Sequence, residues 1–263
     1  MKFGLVFAND LTHSEKAINL SEAIAPFVDG IKIGITTILE EGLLVLKRIK
    51  EITDKIIIAD FKVADIGFWD AKKNRWEGTN AKIVENTISA GAEYIICHAI
   101  VGISSIQECV EVAHSLGGKV LTLPYMTHKG AELFFRHPID LEHVLKVFDE
   151  YGISIRETQI EKCRTISDAI ILLGEEIGVD GYIGPANDFE ILKRYRKLTQ
   201  KEIFGPGIGR QAGNVTPKSQ LKKFYEICGE KSAAIVGSAI YSAEDPIKAA
   251  EEFKKWRDEV VPR

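Results

Sequence analysis

Short apolar runs alternate with longer amphipathic ones along this chain, and no other feature limits its fold so strongly. Residues 3–8, 30–33, 55–59, 94–97, 119–123, 181–183, 202–204 and 233–236 are brief and rich in Ile, Val, Leu, Ala and Phe, the pattern of buried strands. Residues 14–24, 38–50, 80–90, 103–116, 189–198, 217–228 and 246–260 place apolar side chains every third or fourth position, the pattern of helices packed on one face. Residues 127–179 are too many for one loop and predict two helices, near 141–151 and 165–177. Strict alternation of strand and helix implies parallel strands joined by right-handed crossovers. Eight such units favour a closed (β/α)8 barrel, with a doubly wound sheet as the alternative, and 263 residues suit a single domain of that kind.

A barrel of this type carries its site at the C-terminal ends of the strands. Polar residues gather at those positions. Asn9 and Asp10 follow the first run, Lys32 and Gly34 close the second, and His98 follows the fourth. Thr127 and His128 follow the fifth, the glycine-rich stretch 205–213 the seventh, and Gly237 and Ser238 the eighth. The third run is the most unusual. Ile56-Ile57-Ile58-Ala59 leads directly into Asp60-Phe61-Lys62-Val63-Ala64-Asp65. Strand alternation sends Asp60 and Lys62 to one side and Phe61 to the other. An isolated Asp-x-Lys is more often a surface ion pair; here its place among the other strand ends favours a site.

The glycines at 205–213 let the backbone approach an anion, and Gly237-Ser238 opens a second turn beside it. Two such turns on adjacent strands predict a phosphate site. Asp60, Lys62, Asp65 and Lys32 form an alternating charge array in which flanking carboxylates keep each lysine cationic. That array suits the loss of a carboxylate as CO2, followed by protonation of the carbanion. His98 and His128 are candidate ligands or acid–base groups, although a lone histidine at a strand end is more often a packing residue. Glu85, Glu108, Glu111 and His114 fall on helices expected to face outward, so no metal site is predicted. A net charge of -4 without a basic block argues against nucleic acid as partner, and no apolar run is long enough to span a membrane. The first residues are too short for a signal peptide, and Cys97, Cys109, Cys163 and Cys228 show neither CxxC nor zinc spacing. Reduced thiols and a cytoplasmic location are the expectation.

Taken together, Asp60-Phe61-Lys62-Val63-Ala64-Asp65-Ile66, Asn9-Asp10-Leu11, Lys32-Ile33-Gly34, Thr79-Asn80, Met126-Thr127-His128, the PGIGRQAG loop and Val236-Gly237-Ser238-Ala239-Ile240-Tyr241 resemble the orotidine 5'-phosphate decarboxylase family, in its short archaeal form. The resemblance runs almost end to end. It implies a cofactor-free conversion of orotidine 5'-monophosphate to uridine 5'-monophosphate and CO2, in a homodimer with shared active sites. It further implies that Lys62 protonates the pyrimidine C6, that Asp60 sits beside the departing carboxylate, and that Lys32 and Asp10 hold the ribose. Asp65 and Thr79 would come from the partner subunit. Thr127 would bond the base, and Gly207, Gly209, Gln211, Gly237 and Ser238 would hold the phosphate.

Three departures from the family pattern stand out. Ser238 occupies the place of a phosphate-binding arginine, and Arg210 is the candidate substitute. Residues 67–78, with Phe68, Trp69 and Trp76, form an insertion beside the expected dimer site, and Gly67 replaces the proline that usually follows Asp-Ile. The segment 129–138 is a candidate cover for the phosphate. Two rival readings are a sugar-phosphate lyase of the same DxKxxD suprafamily and a catalytically retired phosphate-binding barrel. The first needs an acid on the second strand, where Lys32 stands; the second sits poorly with an intact Asp60/Lys62/Asp65 array.

Overall fold

The computed structural model describes residues 1–155, 157–209 and 215–261. Eight parallel strands close into a barrel: β1 (Gly4–Asn9), β2 (Gly30–Gly34), β3 (Ile56–Val63), β6 (Tyr94–Cys97), β7 (Lys119–Thr122), β8 (Gly181–Ile183), β9 (Glu202–Pro206) and β10 (Ser232–Val236). Each bonds to its sequence neighbour in the ring, and β10 closes onto β1 with Val6 opposite Ile235. Two short strands, β4 (Trp69–Asp70) and β5 (Arg75–Trp76), form a separate antiparallel hairpin between β3 and β6. All eight barrel strands lie where the apolar runs predict them, and the fold is a (β/α)8 barrel.

Strand alternation sorts the apolar side chains into two layers. Val6, Ile58, Ile96, Leu121, Phe204 and Ile235 fill the barrel interior. Their neighbours Leu5, Phe7, Ile31, Ile33, Ile57 and Ile95 point outward against the helices. Full burial of each such side chain is worth roughly 1.5–3 kcal/mol. The same rule places Lys32, between the outward Ile31 and Ile33, inside the barrel near its open end.

Helices begin sharply where the sequence supplies caps. Thr165 and Asp168 form a capping box, and Asp140, Asp188, Thr216 and Asp245 each accept a backbone N–H three residues on. The single helix expected over 38–50 is instead two, Ile35–Glu41 and Leu44–Thr53, parted at Gly42, whose φ of +68 takes the chain out of the helix. The region after β7 carries the two expected helices, Leu141–Glu150 and Ile166–Ile177, with short turns of helix at Glu132–Phe135 and Glu157–Ile160.

Glu108 departs from its expected outward position. It is fully buried on helix Ile103–Ser115 and accepts the Gly78 N–H at 2.7 Å, so it anchors the base of the hairpin. An alanine at position 78 would place its Cβ 2.5 Å from that carboxylate. Trp69 and Trp76 meet edge to face at 5.3 Å, and the Trp76 indole N–H donates to Glu111 at 2.6 Å. Glu85, Glu111 and His114 are exposed, as expected.

Gly205 sits against the buried Phe224 ring, and a Cβ there would lie 2.2 Å from a ring carbon. Gly205→Ala is therefore expected to destabilise the barrel by about 1–3 kcal/mol through overpacking. Urea unfolding followed by circular dichroism checks this; an unchanged midpoint would show that the ring can move aside.

Candidate active site

The predicted end of the third strand at residue 59 is too early. β3 continues to Val63, and in doing so it bulges: between Ala59 and Val63 it advances four residues while β6 advances from Ile95 to Cys97. Within the bulge Lys62 takes φ +48, a left-handed conformation for a residue with a long side chain. Strain of this kind costs on the order of 1–3 kcal/mol and concentrates at functional sites. The bulge directs Asp60 and Lys62 into the barrel mouth, while Phe61 packs on the outer core.

Asp60 joins two lysines. One carboxylate oxygen accepts from Lys62 Nζ at 2.6 Å and the other from Lys32 Nζ at 2.6 Å. Lys32 also lies 3.4 Å from Asp10 Oδ1. Asp60 and Lys32 side chains are 12% and 8% exposed, whereas Lys62 is 39% exposed, so the ladder rises from a buried root to an open ammonium. Burial is the largest influence on both Asp60 and Lys32, and it works against charge. The opposite charges outweigh it: the lysines hold Asp60 below its ordinary 3.8, and Asp60 with Asp10 holds Lys32 above 10.5. Gly34 leaves room for Asp10, since a Cβ there would stand 2.7 Å from its carboxylate. Thr37 steadies that loop by donating to the Leu11 carbonyl at 2.6 Å. Asn9 turns away from the mouth and braces helix Ser14–Ile24 through Ala17 and Ser21.

The ladder opens into a cavity of about 380 Å³. Interior apolar residues, among them Ala8, Ile96, Leu123 and Ile235, form its floor. Tyr125, Met126, Thr127 and His128 line it after β7, and Pro206, Gly207, Ile208, Gly237 and Ser238 line it after β9 and β10. Buried Gln220 fixes the β9 turn: its amide donates to the Gly207 carbonyl at 2.8 Å and its oxygen accepts the Gly209 N–H at 3.1 Å. Gly207 and Gly209 have φ of +101 and +97, which explains glycine at both. Gly209 itself does not line the cavity, and Arg210 and Gln211 lie outside the described residues. None of residues 129–138 lines it either. His98 donates its backbone N–H to Val63 at 2.8 Å and closes the bulge; burial, then the Lys62 charge, lowers its imidazole pKa. Tyr241, named in the motif after the eighth strand, lines the cavity; Tyr125, Pro185 and Gln220 are not singled out by the sequence. Tyr125 and Pro185 stand next to predicted strand ends; Gln220 lies inside a helix and carries no sequence signal.

Asp65 and Thr79 do not line this cavity. Both are exposed at the surface beside it. Buried Asn80 bonds both the N–H and the carbonyl of Asp65, Ser105 donates to that carbonyl at 2.6 Å, and among the described residues the Asp65 carboxylate accepts only the Ile66 N–H. Around them stand exposed apolar side chains: Ile66 (79% exposed), Phe68, Trp69, Ile100 and Val101. Among the described residues, no three His, Cys, Asp or Glu side chains gather closely enough to hold a metal ion, and no helix is long and apolar enough to cross a membrane.

The model of the orotidine 5'-phosphate decarboxylase / HUMPS family matches residues 4–253. The chain is 32% identical over 255 residues to an orotidine 5'-phosphate decarboxylase of Methanosphaera stadtmanae, covering 96% of each chain. It is 30% identical over 251 residues to that of Methanococcus maripaludis strain S2, covering 95% of each. The crystal structure of orotidine 5'-monophosphate decarboxylase from Methanocaldococcus jannaschii, complexed with the inhibitor BMP, superposes with a TM-score of 0.75 at 27% identity, covering 98% of this chain and 100% of that one.

Among the described residues, removing the shared carboxylate leaves buried Lys32 with only the longer contact to Asp10. Asp60→Asn is expected to cost about 3 kcal/mol at neutral pH. Because the folded pKa of Asp60 is depressed, its contribution is complete above 3.8 and disappears as pH falls through the folded value. Lys32, raised above 10.5, loses its contribution only as pH climbs through its own folded value. Urea unfolding of both proteins across pH should show a difference that is flat near neutrality and closes in acid; a constant difference down to pH about 2 would contradict the charge origin.

Proposed function

The chain belongs to the orotidine 5'-phosphate decarboxylase / HUMPS family, and from that premise we propose that it converts orotidine 5'-monophosphate to uridine 5'-monophosphate and CO2, without a cofactor, as a homodimer with shared active sites. The observation that carries this reading is the Lys32–Asp60–Lys62 ladder, rooted in the barrel wall and ending in an exposed ammonium above an apolar floor. Such a floor accepts a flat pyrimidine. The turns at Gly207 and Gly237-Ser238 across the cavity suit its phosphate, with Arg210 and Gln211 assigned to the same task. Lys32 and Asp10 face the ribose, and Thr127 the base.

Asp60 carries the first step. With both oxygens held by lysines it cannot turn aside from a carboxylate brought up against it. Repulsion raises the energy of the bound substrate and is relieved as the C6–carboxylate bond breaks and CO2 leaves. The electron pair stays on C6. The Lys62 ammonium stabilises that charge and donates its proton to C6, and the amine regains a proton from solvent.

The dimer rests on the surface bearing Asp65 and Thr79. The Asp65 backbone is pinned by Asn80 and Ser105, yet neither Asp65 nor Thr79 lines the cavity of its own chain, and the apolar side chains around them suit burial against a second copy. Asp65 would then approach the Lys62 of its partner.

Absorbance assays of orotidine 5'-monophosphate should show turnover that EDTA leaves unchanged. Lys62→Ala should lower kcat by about 10²–10⁴-fold, the range for a positioned proton donor. Absence of turnover in the wild type, or EDTA-sensitive turnover of a sugar phosphate instead, would replace this reading. Shared sites make a further prediction. Lys62→Ala and Asp65→Ala, each impaired alone, should regain about a quarter of wild-type activity when unfolded and refolded together, since half of randomly assorted dimers are mixed and each holds one intact site of two. Sedimentation of a monomer, or no recovery on mixing, would remove the shared-site dimer.

A further inference from the structure

A second concavity, of about 840 Å³, lies on the flank of the barrel beside helix Phe189–Leu198. Three separate segments send cations into it. Arg136 comes from the segment after β7, Arg164 from just before helix Ile166–Ile177, and Lys193, Arg194, Arg196 and Lys197 from helix Phe189–Leu198. Among the described residues, Glu190 is the one carboxylate in the lining. The whole chain has more acids than bases, 38 against 34, so the balance in this groove runs opposite to that of the molecule.

Ordinary structural roles account for part of the cluster. Arg194 forks onto buried Asp168 with both contacts at 2.5 Å, Arg136 reaches Asp188 at 3.3 Å, and Lys193 pairs with Glu190 at 2.8 Å. Arg196 and Lys197 stand in the last helical turn, where cations complement the helix dipole, and Arg196 also donates to the carbonyls of Cys228 and Lys201. Two charges lack a side-chain counter-ion among the described residues: the Arg164 guanidinium donates to the neighbouring Cys163 carbonyl and forms no ion pair, and Lys197, beyond its place at the helix end, forms none either. Lys197 is moreover spaced three and four residues from Arg194 and Lys193, an arrangement of like charges that is unfavourable on a helix by itself. An anion in the groove would relieve that repulsion.

The groove runs beside the helix from Glu190 to Lys197, a rise of about 10 Å, which is more length than a single phosphate needs. Tyr125, whose ring lies 5.4 Å from the Arg136 guanidinium, lines both this groove and the barrel-mouth cavity. We propose that this groove binds an oligophosphate chain, free or carried by a nucleotide, at a site separate from the barrel mouth.

Calorimetric titration of the full chain with inorganic tripolyphosphate, in about 0.15 M salt, tests this directly. One anion should bind per chain. Arg164→Ala and the exposed Lys197→Glu should each weaken it by about tenfold or more, while Ser238→Glu at the barrel mouth leaves it unchanged. Circular dichroism confirms that each variant is folded. ATP and adenosine distinguish the two sources: equal affinity for ATP and tripolyphosphate identifies the free chain as what is recognised, whereas tighter ATP binding identifies a nucleotide. Affinity unaffected by Arg164→Ala and Lys197→Glu, affinity lost in Ser238→Glu, or sulfate binding as tightly as tripolyphosphate would each overturn the proposal.

Discussion

The carboxylate of Asp60 holds two lysines at once, and the rest of the site depends on that arrangement. A buried ammonium such as Lys32 is tolerated inside a barrel only if a counter-charge reaches it, and Asp60 supplies it from the adjacent strand. Pairing of β2 with β3, which sets Gly34 opposite Asp60, fixes where that counter-charge stands. The second oxygen of Asp60 is then available to Lys62 alone. Strand register thus sets the orientation of the Lys62 ammonium, and the strained backbone of Lys62 is held in place by contacts at both ends, the Asp60 ion pair and the His98 N–H bonded to Val63.

Much of this was legible in the sequence because the relevant signals are local. Short apolar runs alternating with period-3.6 segments located all eight barrel strands, and the polar residues at their ends named Lys32, Asp60, Lys62, Thr127, Gly207 and Ser238, all of which line one cavity. The failures share a cause. The bulge in β3 does not show in a run of alternating residues, since it is set by pairing with β6 across the sheet. Glu108 reads as a solvent-facing helix residue until the hairpin brings the Gly78 N–H onto it. Gln220 reads as a helix-surface amide until the β9 turn packs against it. In each case the decisive partner is distant in sequence.

On the proposed reading, the hairpin and the surface beside it are half of a mouth that a second copy completes. Asn80 and Ser105 are buried and spend their hydrogen bonds on the Asp65 backbone, an investment in rigidity for a residue whose carboxylate has no cavity partner of its own. A rigid exposed acid ringed by apolar side chains is unstable as a solvent surface and sensible as half of an interface. The Trp69–Trp76 pair, tied to Glu111, extends that same surface outward.

The ladder also bears on which chemistry the barrel can support. A divalent metal at the strand ends needs carboxylate oxygens free to coordinate it. Both oxygens of Asp60 are already taken at 2.6 Å by ammonium groups, and the position on β2 that would supply a second acid is Lys32. A cation placed there would meet two like charges within the same shell. The arrangement instead presents to a bound anion one carboxylate that cannot move and one ammonium that can reach it. On the proposed reading, charge of alternating sign on a rigid wall separates a negative group from a ring and then quenches the ring, through positions that strand register sets.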